Sequence, residues 1–239
     1  MLPINNQAPT KADRSIDGSL LIKEIFRTIQ GEGPHVGAPS IFVRLGGCNL
    51  QCPGCDTDYT TDAKRMTIAE ITGDIMLIQN QNAFKPLIVI TGGEPFRQNL
   101  VPLINRLVDY NYKVQVESNG TLGIDQPMRL SKNAWNELEI VCSPKAGKVH
   151  NSLWPFIVAY KYVLNAGHMD PSDGLPSDVL GLPGRPARPH KGYEHKIYIQ
   201  PADEMNEVFN KRNLDAAIQS CMKFGHRLCV QTHKYINLP

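Results

Sequence analysis

The 239-residue chain has no apolar run approaching the about 20 residues that a membrane-spanning helix needs, which excludes a helical membrane protein. Its opening stretch, MLPINNQAPTKADRSIDGS, lacks an apolar segment and a small-residue cleavage pattern. No secretory leader is therefore expected, and a cytoplasmic location follows. Neither sign of charge is in surplus: 25 Lys and Arg face 23 Asp and Glu, for a net +2. Phosphate backbones call for a dense basic face, so direct binding to nucleic acid or to a membrane is not expected. The one basic stretch, with Arg185, Arg188, Lys191 and Lys196 beside His190 and His195, reads as a solvated loop. Repeats and low-complexity tracts are missing too. So is a second C-x2-C pair, which a structural zinc site usually shows.

What is present is ordinary globular composition, 41% hydrophobic and 20% charged, enough for one large domain. Residues 1–18 are polar and aperiodic and read as a flexible tail, leaving a single domain over 19–239. Short β-rich runs predict strands over Leu20–Phe26, Ile41–Leu45, Leu87–Thr91, Lys113–Ser118, Leu138–Ser143, Tyr160–Asn165, Lys196–Gln200 and Arg227–Thr232. Helices are expected between several of them. One runs from Thr67 to about Gln81 and opens with the capping box Thr67-x-x-Glu70. Others are read over Leu100–Tyr110 and Asp203–Phe224, the last with Met205, Val208, Phe209, Leu214, Ile218 and Cys221 as its apolar stripe and Gly225 as its C-terminal cap.

Such alternation implies an α/β fold with a parallel sheet. Several links are too short for a full eight-fold barrel, so a partial TIM-type barrel is expected. Chemistry in these folds gathers at the C-terminal ends of strands. Polar residues stand there in TGGEP, ESNG, SPK, QP and QTHK. The Pro/Gly-rich stretch 170–192 cannot be a helix; it is either a lid or a disordered insertion.

Three cysteines, Cys48, Cys52 and Cys55, fall at spacing C-x3-C-x2-C within GGCNLQCPGCDTDY. In a reducing compartment, clustered thiols point to a metal rather than to disulfides. Cys142, Cys221 and Cys229 sit in strand or helix patterns and read as small buried hydrophobes. His35 is the one candidate for a Cys3His zinc site. Three thiolates also suit a [4Fe–4S] cubane with one iron left open, and the surrounding glycines let the backbone wrap closely.

The C-x3-C-x2-C loop resembles the signature of radical S-adenosylmethionine (SAM) enzymes, with Gly54 where an aromatic is often found. In that superfamily SAM chelates the open iron. Its reductive cleavage yields a 5′-deoxyadenosyl radical, so no side chain is expected as the hydrogen-abstracting group. TGGEP, Thr91 to Pro95, is similar to the superfamily motif that binds the cofactor's amino group. Glycines there allow close approach, and Glu94 can accept from an ammonium.

More specifically, the chain resembles the 7-carboxy-7-deazaguanine synthase family from about Glu24 onward. The likeness is carried by EIFRTIQGEG, SIFVRLGGCNLQCPGCDT, VITGGEP, VESNGT, CSPK, IQP and the terminal QTHKYINLP. It implies a lyase that contracts 6-carboxy-5,6,7,8-tetrahydropterin to 7-carboxy-7-deazaguanine with loss of ammonia, for queuosine-type bases. It further implies a homodimer, a flavodoxin-like reductant and magnesium on Thr57. The cluster then falls to Cys48, Cys52 and Cys55. SAM is assigned to Gly54, Cys55, Asp56, Gly93, Glu94, Glu117, Ser118, Ser143, Pro144, Lys145 and Gln200. The pterin is assigned to Ile29, Gln30, Gly31, Glu32, Arg44, Thr91, His233 and the carboxylate of Pro239. Two alternatives remain: another radical enzyme, such as a glycyl-radical activase, and a non-catalytic iron–sulfur or zinc protein.

Overall fold

The computed structural model describes residues 4–13, 15, 17–80, 84–125, 129–191 and 196–239. Expectations at Gln81, Gly192 and His195 lie outside the described residues. The strands are β1 (Leu20–Ile29), β2 (Pro39–Leu45), β3 (Lys64–Met66), β4 (Leu87–Gly92), β5 (Val114–Ser118), β6 (Leu138–Cys142), β7 (Ile157–Leu164), β8 (Lys196–Pro201) and β9 (Arg227–Leu228). They form one nine-stranded sheet in the order β3-β1-β2-β4-β5-β6-β7-β8-β9. From β2 to β9 neighbours run parallel, while β1 lies antiparallel to β2 and β3. β1 and β9 do not pair with each other, so the sheet is an unclosed partial barrel.

Two periodicities position the site. Ile41, Val43, Ile88, Ile90, Val114 and Val116 alternate along their strands and are fully buried against the helices α1 (Ile68–Gln79) and α2 (Val101–Asp109). Burying such a side chain is worth about 1.5–3 kcal/mol each, so this outer face holds the sheet's curvature. The intervening positions face inward. Registers Arg44↔Thr91, Glu117↔Val141, Lys161↔Tyr198 and Val163↔Gln200 set Arg44, Thr91, Glu117, Lys161 and Gln200 on that inner face. A small apolar cluster of Val141, Ala159, Tyr198 and Cys229 lies on the same side. The capping box forms as expected: Glu70 N–H donates to Thr67 Oγ1, and Thr67 N–H to the Glu70 carboxylate. A further short helix, α3 (Lys132–Glu137), packs beside α2.

Three expectations change. Residues 4–13 have no regular structure, yet they are not a loose tail: their amides and carbonyls bond to the cysteine loop and to Arg97. In α4 (Glu207–Phe224) part of the apolar stripe is turned outward, with Val208 61%, Phe209 39% and Ile218 41% exposed, while Leu214 is half-buried and Cys221 packs against the core. The fully buried positions are Asn213, Ala217 and Ser220: Ala217 joins the apolar core, and the other two meet polar backbone. Asn213 accepts from Ala166 N–H and donates to Ala202 O, and Ser220 donates to Gly174 O. The strand read over Arg227–Thr232 stops at Leu228, since Thr232 N–H leaves the sheet to donate to Gly31 O.

Residues 170–191 form an ordered loop. Asp173 pairs with both Arg185 and Arg188, and Ala187 N–H donates to Ala146 O beside the turn after β6. The basic stretch is thus partly neutralised within its own loop.

Candidate active site

The cysteine loop leaves the end of β2 without helix or strand. Its base is closed by Gly47 N–H donating to Tyr59 O at 2.7 Å and by Glu94 N–H donating to Gly47 O at 3.1 Å. That seam requires glycine. A Cβ on Gly93 would stand 2.1 Å from Gly47 O, and one on Gly92, at φ +133°, would stand 2.3 Å from Leu45 O. The GGE motif therefore locks the end of β4 against the cysteine loop.

Cys48 is buried, Cys52 half-buried and Cys55 exposed. Burial is the main cause that raises all three thiols, Cys48 to about 11, and the neighbouring thiols push Cys48 further the same way. Among the described residues, no three His, Cys, Asp or Glu side chains are grouped so as to hold a metal ion. His35 is engaged elsewhere, 2.5 Å from Glu139, and Cys142 and Cys229 are buried as read.

Glu94 is fully buried at the end of β4. Its carboxylate accepts from Phe96 N–H (3.0 Å), Ser118 Oγ (2.8 Å) and Asn119 N–H (2.7 Å). Burial outweighs these donors and pushes the carboxyl up to about 7. Across the mouth, Ser143 N–H donates to Ser118 O, Pro144 is buried, and Lys145 Nζ donates to Ser143 Oγ at 2.6 Å. Burial lowers the Lys145 ammonium, partly opposed by the nearby Cys52. Gln200 ends β8 buried, and its Oε1 has no hydrogen-bond partner. Gln115 Oε1 is likewise buried without one. Orphaned acceptors of this kind suit a site meant to receive a donor-bearing ligand.

A second polar group lies beside β1. Gln30 Nε2 donates to Glu117 (3.1 Å), and Thr91 Oγ1 donates to its other oxygen (3.5 Å). Glu32 pairs with Lys161 and accepts from Gln231 Nε2 at 2.7 Å; the Glu32 and Lys161 side chains are each only 11% exposed. Burial favours a neutral Glu32, but the Lys161 charge, its hydrogen bonds to Lys161 and Gln231, and His233 win and hold its carboxyl low. The Lys161 ammonium is raised well above its usual range, by Glu32 first and then Glu117, against the burial that opposes it. His233 packs so tightly on Gly31 that a Cβ there would lie 2.1 Å from Nδ1.

The expected residues divide by location. Gln30, Glu32, Thr91, Glu117 and His233 are brought together, with Ile29 and Gly31 on the adjoining backbone. Arg44 lies over the Phe26 ring, donates from Nε to Glu24 at 2.7 Å and reaches Thr57 Oγ1 only at 3.5 Å. Thr57 is half-buried next to Asp56, and Gln231 Nε2 spans from Glu32 to Asp56 at 3.4 Å. Gly54 adopts φ +64°, the left-handed turn that a bulkier aromatic would strain. Pro239 is exposed, and its terminal oxygen accepts from Thr28 Oγ1 at 2.7 Å. Lys161 and Gln115 escaped the sequence reading. The available signal was a charge and an amide in the middle of apolar strands, YKYVL and VQVES.

A model of the Radical SAM superfamily matches residues 42–140. A 7-carboxy-7-deazaguanine synthase of Rhodospirillum rubrum is 40% identical, with 96% of this chain and 97% of that one aligned. One from Rickettsia prowazekii is 37% identical over 96% of this chain and 94% of its own. The crystal structure of QueE from Escherichia coli superposes with a TM-score of 0.64 at 22% identity, covering 89% of this chain and 94% of that one.

Proposed function

The chain belongs to the 7-carboxy-7-deazaguanine synthase family, and from that premise we propose how its inner face divides the work. The enzyme is a radical SAM lyase that contracts 6-carboxy-5,6,7,8-tetrahydropterin to 7-carboxy-7-deazaguanine with loss of ammonia. The observation that carries the division is the pair of polar groups on the inner face, Gln30–Glu117–Thr91 and Lys161–Glu32–Gln231, with Gln231 reaching on to Asp56 of the cysteine loop.

Cys48, Cys52 and Cys55 would hold a [4Fe–4S] cluster, which with SAM would supply the radical chemistry. Glu94 would accept from the cofactor's amino group. Gly54, Asp56, Gly93, Ser118, Ser143, Pro144, Lys145 and Gln200 surround the rest of the cofactor, with the orphaned Gln200 Oε1 supplying an acceptor. Glu117 lies between the cofactor and pterin halves, in reach of Gln30 and Thr91.

Glu32 and Gln30 accept from and donate to the amide-like edge of the pterin, and His233 covers it from the Gly31 side. Arg44 offers a planar fork to the substrate carboxylate once its pairing with Glu24 exchanges. Thr57 would offer magnesium one hard oxygen ligand, the kind that this cation prefers. The outward apolar residues of α4 support a homodimer. No described helix is long and apolar enough to cross a membrane. A cytoplasmic site and a flavodoxin-like donor complete the reading.

The direct test is anaerobic. Protein reconstituted with iron and sulfide, reduced, and given SAM, magnesium and the pterin should yield 7-carboxy-7-deazaguanine by mass spectrometry. Accumulation of 5′-deoxyadenosine alone would refute the pterin assignment and leave the radical chemistry standing.

Glu94 makes a pH prediction. A donating amine is held better by the ionised carboxylate than by the neutral acid, and burial pushes the free Glu94 carboxyl up to about 7. Binding of SAM to the cluster-loaded protein should therefore tighten from about pH 6 to about pH 8 and release a proton below neutrality. Glu94→Gln should flatten that profile. Calorimetric titration at several pH values reads it, and a flat wild-type profile would count against the role.

A further inference from the structure

The cysteine loop has little to hold it from within, and a backbone with no ladder must find partners for its carbonyls. Three of them are answered from one place. Thr10 donates to Cys48 O through its N–H at 2.6 Å and its Oγ1 at 3.1 Å. Asn5 Nδ2 donates to Cys52 O at 3.1 Å and to Tyr59 Oη at 3.3 Å. Gln7 closes a two-point clamp: its Nε2 donates to Thr57 O at 2.9 Å, and Tyr59 N–H donates to its Oε1 at 2.9 Å. The loop answers back, with Gln51 Nε2 donating to Asn5 O at 2.8 Å.

The far end of the segment is anchored to the same base. Arg97, buried, donates to Lys11 O at 2.8 Å and to Gly46 O at 2.9 Å, and Asp13 N–H donates to Arg97 O at 2.7 Å. Gly47 sits at φ +81° between the two, where a Cβ would lie 2.7 Å from Thr10 Oγ1 and 2.8 Å from Arg97 Cζ. Fit of this closeness on both sides does not arise from a polar tail resting on a surface.

We propose that residues 5–10 are a strap of positioning residues, with Gln7 at its centre, that sets the backbone of the cysteine loop before anything binds there. Two of the three carbonyls it holds belong to cluster-ligand cysteines and the third to Thr57. The same strap therefore spaces the thiols and aims the threonine hydroxyl. Ordering six residues costs conformational entropy, and the bonds of Asn5, Gln7 and Thr10 to the loop offset it. The consequence for the cluster rests on the reading of the cysteine loop given above; the effect on the loop itself does not.

The experiment begins on metal-free, full-length protein. Hydrogen–deuterium exchange is compared between wild type, Gln7→Glu, and the double variant Asn5→Ala with Gln7→Ala. Amides in residues 48–59 should exchange about tenfold faster in the double variant, while those of β4 and β5 stay unchanged. Gln7→Glu keeps the acceptor for Tyr59 N–H and loses the donor to Thr57 O, so it should fall between; it also stands alone if the double variant does not fold. After reconstitution, bleaching of the visible cluster absorption by a chelator should accelerate in the same rank order. Unchanged exchange in 48–59 overturns the strap. Looser loops with unchanged bleaching overturn its service to the cluster. A wild type that takes up no cluster, with exchange still responding as expected, removes the cluster reading and leaves the strap intact.

Discussion

Cys52→Ala protein stays colourless after reconstitution and forms no 7-carboxy-7-deazaguanine above background, while its metal-free form melts where the wild type does. The two halves of this result have different causes. Cluster ligands act as thiolates, yet burial keeps these three thiols protonated in the free protein. Binding must displace those protons, and that cost is recovered only when all three sulfurs bond to iron. With one sulfur gone, two irons are left open and the cubane is not retained. The fold does not depend on that sulfur. Cys52 is half-buried, and the loop's path is set by the Gly47–Tyr59 bond and by residues 5–10. Its removal should shift stability by no more than about 0.5 kcal/mol. Iron content, visible absorption, product formation and a melting curve measure all of this. A brown, active variant would sink the ligand assignment.

Lys161→Met behaves oppositely, damaging both fold and function. Lys161 and Glu32 are a buried pair, and removing one partner leaves an unmatched charge at a cost of about 3–5 kcal/mol. At about 2–4 °C per kcal/mol for a chain of this size, the melting temperature should drop by roughly 10 °C. The sign of the pH dependence should also reverse. In the wild type the Glu32 carboxyl is held below its ordinary 4.5, so its contribution is present above pH 4.5 and is lost as pH falls through the folded value. Without the ammonium, burial dominates and raises the carboxyl. The Glu32 contribution is then fully present below about pH 4.5, declines as pH rises from there through the new folded value, and levels off above it. Adding Glu32→Gln should restore most of the melting temperature, since no charge remains unmatched. It should not restore turnover, and kcat/KM should stay down by about 100-fold or more, as expected when a buried polar contact to substrate is lost. A double variant with near-native activity would show the pair to be structural only.

Much of this site is visible in the sequence because its parts are local. C-x3-C-x2-C, GGEP and the polar residues ending β5, β6 and β8 each lie within a few residues of one another, and strand alternation orients them. Lys161 is not local: its role depends on Glu32, 129 positions away. Asn5, Gln7 and Thr10 are harder still, since amide and hydroxyl side chains matched to loop carbonyls leave no periodic trace. The α4 stripe misled for a related reason. Hydrophobic periodicity marks a core face only where the neighbour is apolar throughout, and the buried face of α4 mixes the small Ala217 with Asn213 and Ser220, which bond a loop and a strand end.

The gap between β1 and β9 is bridged by the contacts of Thr232 and Gln231 with Gly31 and Glu32, made across 201 and 199 positions of chain. Every other neighbouring strand from β4 to β7 joins one that is close in sequence. Contacts of such separation are the last to repay the entropy of closing their loop, so they lag behind the sheet in folding. On the ribosome the consequence is a fixed order of events. The parallel strands and their helices can assemble while the chain is still growing, but the wall that carries Gly31 and Glu32 stays incomplete until residue 232 has emerged.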